Sequence, residues 1–452
     1  MIARRHSATR REVLRAGSLG LAGISLPIFL KARGESENVL STPRADSCIV
    51  IFLNGGPSHL DMWDMKPEAP TEIRSEFDPI STSVPGVEVC EHLPRLAKLM
   101  HHTTLIRSMR HSVNNSHAAA VYAALTGHDR GEQGGGAMPG DNPAPGAVLS
   151  KLLPHSGNSL PYVALPYKTQ EGKGGPLQPG FLGGFIGSNH DPFWVLEDPN
   201  AADFHVHNLT LAPGVSSRRM ASRRDLLSDL GAQITGNQNL RVFEAMDGFQ
   251  HQAFDLLTSQ HAQRAFQIDR EPAKRRDSYG RNIYGQSVLL ARRLIEAGTR
   301  VVTVSWAPDA NATWDTHGNN FTMLKQTLLP QFDAACSSLL EDLADRGLLE
   351  RTLVAVLGDF GRTPRINKNA GRDHWNSCYT VMLAGGGIKG GFVLGASDRI
   401  GAVPDSNSFS PADVIATMYS LLGIDPHQSL YDSLQRPHQI VASGQVIRDI
   451  IA

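Results

Sequence analysis

Five apolar, β-branched runs punctuate the chain: SCIVIFL (47–53), TTLIRSM (103–109), TRVVTVSW (299–306), TLVAVLG (352–358) and CYTVMLAGG (378–386). Each is nearly continuous in apolar residues, the pattern of strands covered on both faces of a parallel sheet. Segments with helical spacing lie between and after them. YGQSVLLARRLIEAG precedes the third run, MLKQTLLPQFDAACSSLLEDLADRGL the fourth, and SPADVIATMYSLLG follows the last. In that final segment Ser410 can accept from the free amides of a first turn, Pro411 needs no amide partner there, and Gly423 can stop the helix. Alternation of this kind predicts an α/β fold, a doubly wound and mostly parallel sheet flanked by helices.

From Gly127 to about Ser278 the pattern breaks down. GEQGGGAMPGDNPAPGA and EGKGGPLQPGFLGGF predict long surface loops, followed by charged helices, and neither has the glycine and lysine order of a phosphate-binding loop. The chain is read as one α/β domain over 46–452, carrying a loop-rich insertion or cap at about 128–278. Its 452 residues are ample for a large core, and 41% apolar with 19% charged residues excludes both a disordered chain and a polytopic membrane protein.

Charge changes the picture at the N-terminus. Residues 1–35 hold seven Lys or Arg against two Glu, so a net charge of −1 hides about −6 on the remainder, a balance that disfavours a nucleic-acid partner. In TRREVLRAGSLGLAGISLPIFLKA, Arg10 and Arg11 precede Val13 and Leu14, and a modestly apolar run from Ala16 to Leu30 follows. This resembles a twin-arginine export signal, so residues 1–40 are read as signal segment and linker, the twin-arginine translocase as a partner, and the location as periplasmic or extracellular. Fifteen residues with three Gly and a Pro are too few and too weak for a stable membrane span. Cys48, Cys90, Cys336 and Cys378 form no C-x-x-C pair; buried free thiols are the simplest reading, with one disulfide open in an oxidising compartment.

Four polar clusters each follow a predicted strand. LNGGPSHLDMWD offers Asn54, His59, Asp61 and Asp64, with two glycines that allow close backbone approach; HSVNNSHAAAVYAALTGH offers Ser116 and His117 at the start of an alanine-rich helix. SWAPDANATWDTHGNN offers Asp315 and His317, and LGDFGRTPRINKNAGRDHW offers Asp359, Arg362 and His374. Ligands of open α/β sheets bind beyond the carboxyl ends of the strands, so the four clusters are expected to converge, and imidazoles with carboxylates are ordinary ligands of zinc, manganese or iron. Ser116 fits two roles, the N-cap of its helix or a nucleophile among free amides. Asp315 fits a turn as well as a metal, and Arg372 with Asp373 fits a surface ion pair. The chain lacks a G-x-S-x-G elbow, an H-E-x-x-H helix and a G-x-G-x-x-G turn after the first strand, which disfavours an α/β-hydrolase esterase, a zincin and a dinucleotide enzyme.

LNGGPSHLDMWDMKP, NSHAAAVYAALTGH, ARRLIEAGTRVVTVSW with TWDTHGNNF, LGDFGRTPRIN with GRDHW, and LAGGGIKGGFVLGASD resemble the exported bacterial domain-of-unknown-function family number 1501, from about Ser47 to the C-terminus. That family is similar to the alkaline phosphatase and sulfatase superfamily, metal-loaded α/β hydrolases of phosphate or sulfate esters. The resemblance implies a site of Asn54, Ser116 or His117 ahead of Thr126-Gly127, Asp315 with His317, Asp359, and His374. Three positions depart from the superfamily: Asn54 where aspartate is usual, Phe360 where histidine is usual, and His117 on the nucleophile's spacing. His59 or Asp61 could compensate as additional ligands, and the chain has no C-x-P-S-R order for formylglycine. The implied protein is an alkaline-phosphatase-like hydrolase of a small anionic ester or a sulfated or phosphorylated glycan. Its metal is divalent, zinc first, with manganese, iron or calcium as alternatives. Asp315, His317, Asp359, His374, His117 and Asn54 would be ligands, Ser116 the nucleophile and Arg362 an oxyanion clamp. Alternatively, His117 is a ligand and a metal-bound water the nucleophile, or the protein is a non-catalytic binder of metal or anionic glycan.

Overall fold

A computed structural model describes residues 42–153, 159–206 and 260–452, with isolated positions 209, 219, 222 and 226. The twin-arginine segment and most of the charged helices expected before Ser278 lie outside the described residues. The main sheet has eight strands: β1 (Ser47–Leu53), β2 (Thr103–Met109), β3 (Tyr162–Leu165), β4 (Phe193–Trp194), β5 (Val301–Ser305), β6 (Thr352–Gly358), β7 (Tyr379–Ala384) and β8 (Phe392–Leu394). Their order across the sheet is β8-β2-β7-β6-β1-β5-β3-β4.

All pairings are parallel except those of β7, which runs antiparallel to both β6 and β2. The sequence pattern gave β7 the same apolar continuity as its neighbours. Its direction follows from the connection instead: between Gly358 and Tyr379 the chain forms a small antiparallel ribbon, Gly361–Arg362 with His374–Trp375, and no crossover helix, and it turns back. The stretch 128–278 supplies β3 and the edge strand β4, too short for a periodic signal to stand out from their loops.

The sheet separates two cores. Along β1, Ile49, Ile51 and Leu53 join one apolar cluster while Cys48, Val50 and Phe52 join the other, as a period of two requires. The first face is covered by α3 (Ile283–Glu296) and α4 (Leu329–Asp345), the second by α1 (His117–Thr126), α2 (Pro145–Leu152) and α5 (Pro411–Leu421). Helix α5 begins as expected, with a capping box between Ser410 and Asp413 and Pro411 in its first turn. The long helix expected from Met323 is broken into a π segment, Leu324–Leu328, ahead of α4. Pro330 cannot donate an amide and crowds the preceding turn, which widens to accommodate it. All four cysteines are buried free thiols, and no helix among the described residues is long and apolar enough to cross a membrane.

Candidate metal centre

Because β7 is antiparallel to both β6 and β2, the carboxyl ends of β1, β2, β5 and β6 open on one edge of the sheet. Two glycines let these ends close together. Gly55 has φ +106°, and a Cβ there would lie 2.4 Å from the Asp315 amide; at Gly56, with φ +89°, it would lie 2.7 Å from the Phe360 ring. Only glycine fits both the backbone and the space.

Asp315 Oδ1 is the hub. The Nε2 atoms of His317, His374 and His117 stand 3.1, 3.2 and 3.5 Å from it. The far nitrogen of each ring is tied to an acceptor: His317 Nδ1 to Asp373 Oδ1 at 2.8 Å, His374 Nδ1 to the Asn114 carbonyl at 3.1 Å, and His117 Nδ1 to Asp359 Oδ2 at 2.6 Å. A carbonyl or carboxylate can only accept, so each Nδ1 carries a proton and each ring turns its Nε2 inward, where it holds a second proton against Asp315 or offers its lone pair to a cation. Two of these, on His317 and His374, face each other at 3.0 Å. Facing lone pairs repel unless a proton or a cation lies between them. An imidazole whose outer nitrogen is held by a carboxylate or carbonyl is the usual support of a metal-bound histidine. Ligand atoms of His117, Asp315 and His374 lie within 4.8 Å of one another, and the buried His117 Nε2 has no partner besides the Asp315 carboxylate at 3.5 Å. Three imidazole nitrogens with one carboxylate suit zinc, and also manganese or iron.

Burial opposes a charge on His117, but the carboxylates of Asp315 and Asp359 outweigh it and push the imidazole up to about 9. Burial would raise Asp315 as well, yet hydrogen bonds to His117 and His374 and the Arg362 guanidinium hold it well below the usual carboxylate range. His374 is pulled down, first by burial and then by Arg362 and His117, against its bond to Asp315.

The other residues singled out in the sequence divide around this cluster. Asp359 is fully buried as the partner of His117, its Oδ1 without a bond. Phe360 packs its ring 4.2 Å from His374 and 5.0 Å from His117, an apolar wall in place of a ligand. Arg362 is fully buried: Nε donates to the Gly56 carbonyl, Nη1 to that of Arg372, and Nη2 to Gly55, Trp314 and, at 2.5 Å, to Asp315 Oδ1. All three nitrogens are engaged, so Arg362 is a strut that aims Asp315 rather than an open clamp. Asn54 is likewise engaged at both ends of its amide, accepting from the Trp306 amide at 3.0 Å and donating to Gln178 at 3.4 Å.

Asp61 does not join the cluster. It is buried in a bidentate ion pair with Arg372, 2.8 and 3.0 Å, and accepts from Ser58 and Asn320. Arg372 therefore pairs inside the protein, not with Asp373 at the surface. His59 is fully buried, its Nε2 donating to the Gly401 carbonyl at 2.8 Å. Ser116 caps α1, its Oγ accepting from the Ala119 amide at 3.2 Å.

Sequence reasoning passed over the supporting groups: Asp373, Asn114, and His111, whose Nε2 donates to the Asp359 carbonyl at 2.7 Å while its Nδ1 accepts from Val113. It also missed Glu171 and Gln178. Glu171 accepts from the Ala118 amide at 3.1 Å and from Gln178, bringing the glycine-rich stretch of the insertion beside α1. For Asp373, Asn114 and His111 the one sequence signal was their crowding near the histidines in HSVNNSH and GRDHW; Glu171 and Gln178, in EGKGGPLQPG, had none.

The fold and the cluster define an open α/β protein with a histidine and aspartate centre at the carboxyl edge of its sheet. Over residues 45–451 the chain belongs to the family described as protein of unknown function DUF1501. Solved structures similar to it include three at 10–12% identity. Ps i-CgsB in complex with k-i-k-neocarrahexaose is 12% identical, with TM-score 0.40 over 84% of this chain and 72% of that one. The lipoteichoic acid synthase LtaP from Listeria monocytogenes is 11% identical, with TM-score 0.36 over 91% and 81%. A protein in the alkaline phosphatase superfamily from Vibrio parahaemolyticus is 10% identical, with TM-score 0.32 over 86% and 70%. No curated protein matches the chain.

Proposed function

We propose that this protein is an exported, metal-dependent hydrolase of phosphate or sulfate esters, with His117, Asp315, His317 and His374 holding the ion. The observation that carries the reading is the set of three imidazoles, each fixed through Nδ1 so that Nε2 converges on Asp315. Zinc is the first candidate. A divalent ion there supplies Lewis-acid polarisation of the ester. The chain's own contribution is orientation and dryness. Asp359, Asp373 and the Asn114 carbonyl set the tautomers, Arg362 aims Asp315, and Phe360 keeps water from one side of the rings. Ser116 is used as a helix cap. The substrate is a small anionic ester or a phosphorylated or sulfated glycan, and the Arg10-Arg11 segment directs export by the twin-arginine translocase.

The test joins metal analysis of the exported protein, beside His374→Ala, to turnover on phosphate, phosphonate and sulfate esters. Near-stoichiometric metal, lost in the variant, with turnover of at least one ester class is expected. Removing the Ser116 hydroxyl by Ser116→Ala should cost about 1 kcal/mol of stability and leave turnover largely intact. Metal without any turnover would leave a non-catalytic binding protein, and a metal-free protein even after reloading would remove the reading altogether.

A further inference from the structure

Four protein donors saturate a tetrahedral ion. Three imidazoles with the Asp315 carboxylate would make a closed centre of the structural kind, whereas a zinc that acts on a substrate keeps one position open. For an ester to bind there, one of the four donors has to yield, and burial separates them. The side chains of His117, Asp315 and His374 are 7%, 7% and 14% exposed, and that of His317 is 45% exposed.

The groups behind the rings divide in the same way. His117 is held by the fully buried Asp359, so withdrawing its ring would strand a carboxylate away from water. His374 bonds the Asn114 carbonyl, and its ring packs 4.2 Å from Phe360 and 4.5 Å from His117. His317 is held instead by Asp373, itself 55% exposed, a surface pair whose loss water makes good. The backbone beneath His317 is clamped. Its carbonyl accepts from Asn367 Nδ2 at 2.9 Å, and a Cβ on Gly371 would lie 2.1 Å from the same oxygen. Just beyond it, Asn319 and Asn320 donate to the carbonyls of Asn369 and Ala370 at 3.0 and 2.9 Å. Movement of the ring is therefore a rotamer change of one side chain, which is fast in an exposed residue, and needs no movement of the loop.

We propose that His317 is the exchangeable ligand of the centre: His117, Asp315 and His374 hold the ion throughout, and the His317 ring turns out to solvent and gives its place to an anionic oxygen of the substrate. Asp373 is the positioning residue that latches the ring when it returns. The proposal rests on the metal-hydrolase reading of the same site and adds which donor yields.

The experiment measures zinc affinity of the full chain, stripped by chelator, in competition with a chromophoric chelator. Wild type, His317→Ala and His374→Ala are compared, each checked for folding by its thermal transition. The expected result is a loss of about ten-fold for His317→Ala and of more than about a thousand-fold for His374→Ala. Cobalt(II) in place of zinc then reports the ligands through its visible spectrum. Inorganic phosphate or sulfate should alter the wild-type spectrum; His317→Ala should differ from wild type before either is added, and free imidazole should restore it. Weakening of more than about a hundred-fold in folded His317→Ala would overturn the proposal, whether or not His374→Ala folds. So would a cobalt spectrum unchanged by His317→Ala, or a wild-type spectrum that neither anion alters. Ester turnover enters none of these readouts, so the exchange and the hydrolase can each fail alone.

Discussion

His117 answers to two carboxylates at once, and its proton is the natural occupant of the cluster when no cation is there. Its value rises from 6.5 to about 9, chiefly because Asp315 and Asp359 outweigh the penalty of burial. A folded-state value above the unfolded one means stability that is fully present below pH 6.5 and is lost as pH rises through about 9. Metal-stripped protein should therefore lose on the order of 1–3 kcal/mol across that window, and His117→Gln should flatten the slope. Urea unfolding between pH 6 and 9.5 reads this directly. By the same logic metal uptake at neutral pH should release about one proton, visible as a dependence of the calorimetric heat on the buffer. A heat independent of buffer ionisation would place His117 outside the ligand set.

The strand ends depend on the turns that follow them. Gly55 and Gly56 are left-handed and pressed against the Asp315 amide and the Phe360 ring. Gly55→Ala adds a Cβ where φ is +106° and backbone lies 2.4 Å away, so neither rotation nor a flexible neighbour relieves it. We expect a loss of roughly 2–4 kcal/mol, by strain and displacement of the loop that carries Asp315 and His317. Thermal unfolding and metal affinity should fall together, because one displacement causes both. Full stability in Gly55→Ala would show that the loop can move without loss. The glycine pair was legible in LNGGPSH as a place of close approach, but its contacts were not, since they come from residues some 260 and 305 positions later.

Across the molecule, a single ion would tie together loops from β2, β5 and β6. Anything that binds the folded state alone stabilises it by mass action, about 4 kcal/mol at a thousand-fold excess over the dissociation constant. Reloading stripped protein with zinc should raise the midpoint of thermal unfolding by several degrees, and should do nothing for His374→Ala. Equal midpoints with and without zinc in the wild type would argue that the cluster is not a metal centre. The sequence by itself determined the strands β1, β2, β5 and β6, the helices between them, and the four polar clusters at their ends, because apolar continuity and turn chemistry are local properties of the chain. It could not give the direction of β7, which depends on how a connection without a crossover helix must return. Nor could it decide which polar residues meet. Asp61 and Arg362 have the same chemistry in sequence as Asp315 and Arg372, yet tertiary packing pairs Arg372 with Asp61 and Arg362 with Asp315. That pairing removes Asp61 from the site and leaves Asp315 at the centre of three histidines, since a buried charge must be neutralised by whatever the fold places within a few ångströms of it.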